Sequence, residues 1–236
     1  MKATGFEFRF RFAIHCLIYF VGFAVYAIDP HAGSSWLLGA VYLLRTGVFT
    51  LSSATIALLS VGIAGALAGA WLRTWGAAYL SSSVVKDSAM HGAGVVADGP
   101  YRYLRNPLYL GTWLHTWALA LLMPVWGAVF TLVAIGIFQV RLILAEEPFL
   151  RAKLGEPYGA YCALVPRVLP SVKARVAGAG ARARWGQAFL GEIYFWGVAG
   201  SFAAVGWLYN TSLLERCVLV SLGVSLVARA FIPKKD

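Results

Sequence analysis

Residues 107–145 read PLYLGTWLHTWALALLMPVWGAVFTLVAIGIFQVRLILA, and their one charged residue is Arg141. Crossing the hydrocarbon core of a bilayer takes about 20 apolar residues, within a range of roughly 17–25. The stretch holds two such lengths, 107–123 and 125–145, joined at Met123-Pro124, and so reads as a tight antiparallel helical hairpin. Pro124 suits the first position of the returning helix, where its missing N–H costs nothing. Four further stretches qualify as spans: 12–28, 48–72, 188–208 and 217–233. Between the first two, residues 34–47 are too few to cross and carry Arg45, which fits a short interfacial helix. The fold class is therefore all-α: a polytopic transmembrane helical bundle of about six spans plus that short helix.

Composition agrees. Of 236 residues, 60% are hydrophobic and 13% charged, the latter about half the quarter usual in soluble domains. With the N-terminus inside, only Arg45 and Arg216 of the 20 Lys and Arg residues lie outside. The positive-inside rule then puts both termini in the cytoplasm. The opening MKATGFEFRFRF is basic, then apolar, with no small-residue cleavage site, and reads as part of a retained first span. No internal repeat is visible, against a transporter built from repeated halves. The net charge of +10 suits anionic lipid headgroups; no Arg/Lys stripe interleaved with stacking aromatics points to nucleic acid. Cys16, Cys162 and Cys217 lack CxxC spacing, so neither a disulfide framework nor a metal site is indicated. Gly65 and Gly69 have the GxxxG spacing of a close helix contact, within the chain first and in a homodimer second.

Polar residues gather in two inner segments, 73–106 and 141–186, that flank the hairpin, so any chemistry belongs at its cytoplasmic end. The chain divides into N-terminal spans (1–71), a core around the hairpin (72–170), and a basic linker with two C-terminal spans (171–236). Gly99-Pro100 signals a turn. Asn106-Pro107 reads as a helix start, with Asn at the N-cap and Pro at the first helical position. Arg105 beside those free N–H groups would make an anion site. Glu146-Glu147 closes the fourth span; adjacent helical residues point about 100° apart, so one of them at most faces a given pocket. An i+4 pairing of Glu147 with Arg151 is the plain alternative. Pro148 should disrupt the helix and free the carbonyl of Leu144, which beside a carboxylate suits a cationic or hydroxyl-rich ligand. His115 reads as a satisfied interior histidine, and His15 and His31 have no partner in sequence. No Ser-His-Asp set, paired-His metal spacing or glycine-rich phosphate loop is present.

The ordered set resembles one family. The Gly-Pro-Tyr turn at 99–101, Arg105-Asn106-Pro107-Leu108-Tyr109-Leu110-Gly111, Glu146-Glu147, then Gly155, Tyr158, Tyr161, Val165-Pro166-Arg167 and Pro170 are similar to the isoprenylcysteine carboxyl methyltransferases and the related phospholipid N-methyltransferases. Their pattern runs Gly-x-Tyr, Arg-His-Pro-x-Tyr-x-Gly, Glu-Glu, Gly-x-x-Tyr-x-x-Tyr, Val-Pro, and the resemblance covers about 72–170. It implies an integral-membrane, multi-pass enzyme using S-adenosyl-L-methionine on the cytoplasmic side. By motif position the implied cofactor contacts are Val95, Val96, Tyr101, Asn106, Pro107, Tyr109, Glu146 and Glu147, with Lys86 and the Ala93-Gly94 backbone as additions. Arg105 and Arg141 are the implied groups that orient the acceptor's charge. Asn106 stands where the family commonly has His; it donates a hydrogen bond but cannot titrate, so it is no general base.

Methyl transfer from a sulfonium is a direct displacement whose rate comes from proximity and alignment. A carboxylate acceptor needs no base and an amine does, so the lack of an obvious base favours a lipophilic carboxylate, such as a prenylated cysteine, entering from the bilayer. A phospholipid amine is the alternative. Membrane sterol reductases using NADPH resemble the hairpin too, but carry Asn-Tyr-x-Gly-Glu where this chain has Leu108-Tyr109-Leu110-Gly111-Thr112. A non-enzymatic membrane scaffold is the remaining rival.

Overall fold

The computed structural model describes residues 2–29, 31–80 and 95–230. In chain order the helices are α1 (Gly5–Arg9), α2 (Arg11–Ile28), α3 (Ser35–Arg45), α4 (Leu51–Tyr79), α5 (Pro107–Ala120), α6 (Val125–Leu154), α7 (Glu156–Leu164), α8 (Trp185–Gly191), α9 (Ile193–Val205) and α10 (Thr211–Ala230). Single 3-10 turns occupy Gly99–Arg102 and Gly206–Leu208. All regular elements among the described residues are helical, and α3 is the short apolar helix expected between the first two spans.

The span count differs from six. Four helices, α2, α4, α6 and α10, are long and apolar enough to cross, and a fifth span results if α8 and α9 count as one despite their 69° bend. The hairpin's first arm, α5, has only 14 residues, roughly 21 Å at 1.5 Å per residue against a core of about 30 Å. Sequence hydropathy carried that arm to Met123, but the helix stops at Ala120 because its last carbonyls find partners elsewhere. Leu121 O accepts from Trp36 N (2.9 Å) and Met123 O from Ser35 N (2.7 Å), while Tyr26 Oη donates to Leu122 O (2.8 Å). The N-terminus of α3 thus satisfies the C-terminus of α5. Pro124 sits at the N-cap of α6, one residue before the helix, not at its first position.

Two adjacent antiparallel pairs set the bundle's polarity. Ala3 N–H donates to Arg141 O (2.9 Å) at one end of the α2/α6 pair, and Tyr26 meets Leu122 at the other. In the α4/α5 pair, Gly76 lies against Pro107 and Leu108 while Gly65 faces Leu114 O. The C-terminal ends of α4 and α6 and the N-terminal ends of α2, α5 and α9 therefore share one end of the bundle. The core of the other half gathers Trp36, Leu59, Leu119, Leu122, Met123, Phe202 and Leu214, all buried.

In lipid, tails are as apolar as leucine, so helices associate through close packing rather than hydrophobic transfer. A Cβ at Gly69 would stand 2.7 Å from Gly111 O and 2.9 Å from His115 N, both rigid backbone, whereas one at Gly223 meets nothing within 4 Å. The GxxxG spacing is therefore used against α5 inside the chain. Gly69→Ala should lower stability by about 1–3 kcal/mol, read by thermal unfolding in detergent, while Gly223→Ala should not lower it.

Candidate active site

The loop entering α5 is built from the residues that punctuated the sequence. Gly99 has φ +55°, and a Cβ there would collide with the Tyr79 ring, so only glycine fits. Tyr101 is buried and its carbonyl accepts from Tyr161 Oη at 2.8 Å. Val95 and Ala97 pack against Tyr158, Tyr161 and Val165, and Val96 beside them is half-buried. Pro107 is the buried first residue of α5. Lys86, Ala93 and Gly94 lie outside the described residues.

Asn106 holds the N-cap position of α5, as expected, but makes no capping bond. Its amide instead donates to Arg167 O (3.0 Å) and, at the limit of range, to Glu147 Oε1 (3.5 Å). Arg105, read as an open anion site, already carries a carboxylate: its Nη1 lies 3.1 Å from Glu147 Oε1. Arg167 closes the other side, with Nη2 at 2.8 Å and Nε at 3.0 Å from Glu147 Oε2, a hydrogen bond that raises the Arg167 pKa further. Among the described residues no ion pair joins Glu147 to Arg151, the plain i+4 expectation. Glu146 diverges from Glu147 as helical geometry requires and accepts from Tyr109 Oη at 3.1 Å.

Pro148 was expected to break the helix; α6 instead continues through it to Leu154. Removing one N–H near a helix end forfeits a single bond, and Glu147, clamped by two arginines, holds the turn in place. The Leu144 carbonyl is nonetheless left without an i+4 donor, and Leu144 borders an open cleft of about 360 Å³ with Arg105, Glu147, Pro148, Arg151, Tyr158 and Arg167. Burial, and then the neighbouring Cys162, push the Tyr158 phenol well above its ordinary pKa, so it stays a neutral donor.

Arg141 does not reach this cleft group. Its Nη2 lies 2.7 Å from both carboxylate oxygens of Glu7. Backbone and hydroxyl contacts to Thr4 frame Glu7 in a capping box, and the Thr4 backbone first, then Arg141, hold its carboxyl below the usual range. The two arginines read as acceptor-orienting groups thus both engage carboxylates of the chain itself.

Three features escaped the sequence reading. Residues 166–184 form a strap that runs back over the loop: Pro166 O accepts from Arg105 N, Ser171 N donates to Tyr103 O, Arg175 N to Arg102 O, and Arg184 N to Ala78 O. Asp98, buried, takes Gly180 N (3.2 Å) and Ala181 N (3.1 Å) midway along. Next, Arg73 grips Glu192 in two places (Nε–Oε2 2.6 Å, Nη2–Oε1 3.1 Å), donates to Thr112 Oγ1 at 2.6 Å and lies over the Phe195 ring at 4.2 Å. Glu192 stands in the break between α8 and α9, which is why the expected span 188–208 is bent. A lone acid within an apolar run is a signal for such a partner. The third is Glu7, which the Thr-x-x-Glu pattern at 4–7 could have flagged as an ordered helix start.

Among the described residues, no histidine lines the cleft. His115 is buried, with Nε2 3.3 Å from Tyr194 Oη and no partner for Nδ1, so it is half satisfied. His15 does have a partner, the Arg11 carbonyl at 2.6 Å. None of the three cysteines is in a disulfide, and among the described residues no metal-binding cluster occurs.

Residues 57–157 match the phospholipid methyltransferase family. The match begins inside α4 and runs through the loop, α5 and α6, somewhat under half of the chain, and contains Arg105, Asn106, Tyr109 and the acidic pair. No curated protein and no solved structure matches the chain.

Proposed function

We propose, with that match as the premise, that this membrane protein is a methyltransferase that uses S-adenosylmethionine and acts on a lipophilic acceptor, most readily a carboxylate. The observation that carries the reading is the meeting of the two motif segments. Arg105 touches Glu147 at 3.1 Å and Tyr109 touches Glu146 at 3.1 Å, joining the start of α5 to the end of α6 within the matched region. By the charge asymmetry of the sequence, this end of the bundle faces the cytoplasm.

The cleft's donor set fits the cofactor. Its volume lies near the lower end of small-molecule sites, roughly 300–1,000 Å³. Arg105 Nε is buried without a partner and would meet the cofactor's carboxylate; the Leu144 carbonyl and Glu147 would accept from its ammonium and ribose hydroxyls. The bound cofactor supplies an electrophilic methyl group on a sulfonium. The chain's own work is alignment: Glu147, fixed by Arg105 and Arg167, positions the cleft wall, and the strap over the loop shields it from water. Tyr109 packs beside Phe138 and Leu142 and donates to Glu146, on the bundle side of the acidic pair, and Arg141 offers its guanidinium to the acceptor's anion. Both acceptor-orienting arginines bind carboxylates in this structure, which supports a carboxylate acceptor. The family description and the Tyr109–Glu146 pair, able to receive a proton, support the second reading, a phospholipid amine.

Calorimetric titration of detergent-purified protein with S-adenosylhomocysteine should show saturable binding, weakened about tenfold in Glu147→Gln by loss of a charge-assisted contact. Methyl label transferred to a total lipid extract should then be released by alkali from a carboxyl ester and retained on an amine. A folded wild-type sample that binds no S-adenosylhomocysteine would sink the reading.

A further inference from the structure

We infer that Glu7 is an internal competitor for an acceptor's anionic group on Arg141: an acceptor bearing a carboxylate or phosphate must displace its carboxylate to reach that guanidinium, and a neutral acceptor, which does not use Arg141, need not. This inference rests on the methyltransferase reading and concerns a segment outside the family match.

The N-terminal segment borders the site on two sides. Lys2 lines the cleft that holds Arg105 and Glu147, while Ala3 N–H donates to Arg141 O at 2.9 Å. Phe8 alone of α1 is buried, seated against Phe138 and Leu142 with Tyr109 alongside. Tyr109 in turn donates to Glu146. Lifting α1 would therefore uncover the side of Tyr109 that leads from the bilayer to Glu146.

The segment is held lightly. Phe6 and Phe10 turn outward, 68% and 42% exposed, so among the described residues the ties are Phe8 with Ala3 beside it, the Ala3 N–H bond to Arg141 O and one ion pair. The partners of that pair are each about a quarter exposed, 26% for Arg141 and 24% for Glu7, and exposed pairs contribute little net stability. Both Glu7 oxygens meet the same nitrogen, Nη2. That falls short of the two-nitrogen fork a guanidinium presents to carboxylates and phosphates. An incoming anion that engages the fork binds Arg141 better than Glu7 does, while a neutral headgroup neither uses Arg141 nor has to displace Glu7. A contact closed about nine-tenths of the time lowers apparent affinity about tenfold.

The test uses full-length protein in a neutral detergent, with laurate, dodecyl phosphate and dodecanol as probes that share a chain and differ in headgroup. Glu7→Gln should tighten laurate, dodecyl phosphate or both about tenfold and leave dodecanol unchanged. A gain for laurate alone assigns a carboxylate acceptor, and a gain for dodecyl phosphate alone a phosphate-bearing lipid. Arg141→Gln in the Glu7→Gln background should abolish the gain, and Glu156→Gln, a charge removed from the exposed start of α7, should produce none. The inference is overturned if Glu7→Gln tightens neither anion, or if Glu156→Gln tightens them equally. S-adenosylhomocysteine titrated into the same samples separates the two readings: its failure to bind overturns the methyltransferase assignment, whereas the amphiphile series judges Glu7.

Discussion

Replacing Glu147 by alanine is expected to abolish S-adenosylhomocysteine binding in practice, by about 100-fold or more, and to cost about 3 kcal/mol of stability. Among the described residues, Glu147 is the one carboxylate that meets Arg105 and Arg167 together. Its side chain is 11% exposed and that of Arg105 12%, so Arg105 is poorly hydrated there, whereas Arg167 reaches water at 49%. Without the carboxylate, two guanidinium groups would stand over the same cleft with no counter-charge. Removing one member of a buried ion pair costs more than the pair contributes, because the survivor keeps its desolvation penalty. Glu147→Gln preserves shape and the Asn106 contact, so its stability loss should be smaller while binding still falls. Calorimetry and thermal unfolding on the same preparation separate the two effects; a folded Glu147→Ala protein with wild-type affinity would show that the cleft is not the cofactor site.

The largest stability loss should come from Glu192→Ala, about 3–5 kcal/mol. Glu192 is 3% exposed and Arg73 16%, and Arg73 also holds Thr112 and Leu108 O. The cation would be stranded where α4, α5 and α9 meet. The double change Arg73→Met with Glu192→Leu should recover most of the loss, since apolar replacements of a buried pair are often neutral or better. Unfolding midpoints of the wild type, Arg73→Met, Glu192→Leu and the double variant form a complete cycle. Additive losses in the double variant would mean that the two side chains contribute independently.

The contrast between these two residues marks what the sequence could convey. Gly99-Pro100, Asn106-Pro107 and the Glu146-Glu147 pair are local signals, set by backbone chemistry and helical angle, and each lies where that chemistry put it. Partnership was illegible. Nothing in the spacing says that Asn106 leaves its own helix uncapped to reach Glu147 and Arg167 O, or that Arg141 finds Glu7 at the far end of the chain. Hydropathy also misjudged two ends. Leu121-Leu122-Met123 is as apolar as any span, yet it leaves the helix because Ser35 and Trp36 take its carbonyls. Residues 188–208 read as continuous, yet bend at Glu192 because Arg73 holds the carboxylate there. Tertiary partners overrode the local pattern in both cases, and at Pro148 the reverse held: a residue that breaks isolated helices was absorbed.

The strap bears on how the molecule can be made. Residue 184 pairs with residue 78, and residues 180 and 181 with Asp98. During synthesis, the hairpin and its motif residues therefore emerge well before the segment that covers them. Closing so long a loop is entropically slow, so the half-made chain waits in the membrane with the loop before α5 uncovered. A fragment ended at residue 157, the limit of the family match, would stay in that condition. It would contain Arg105, Tyr109 and both acidic residues, but neither Arg167 to share Glu147 nor Glu192 to receive Arg73.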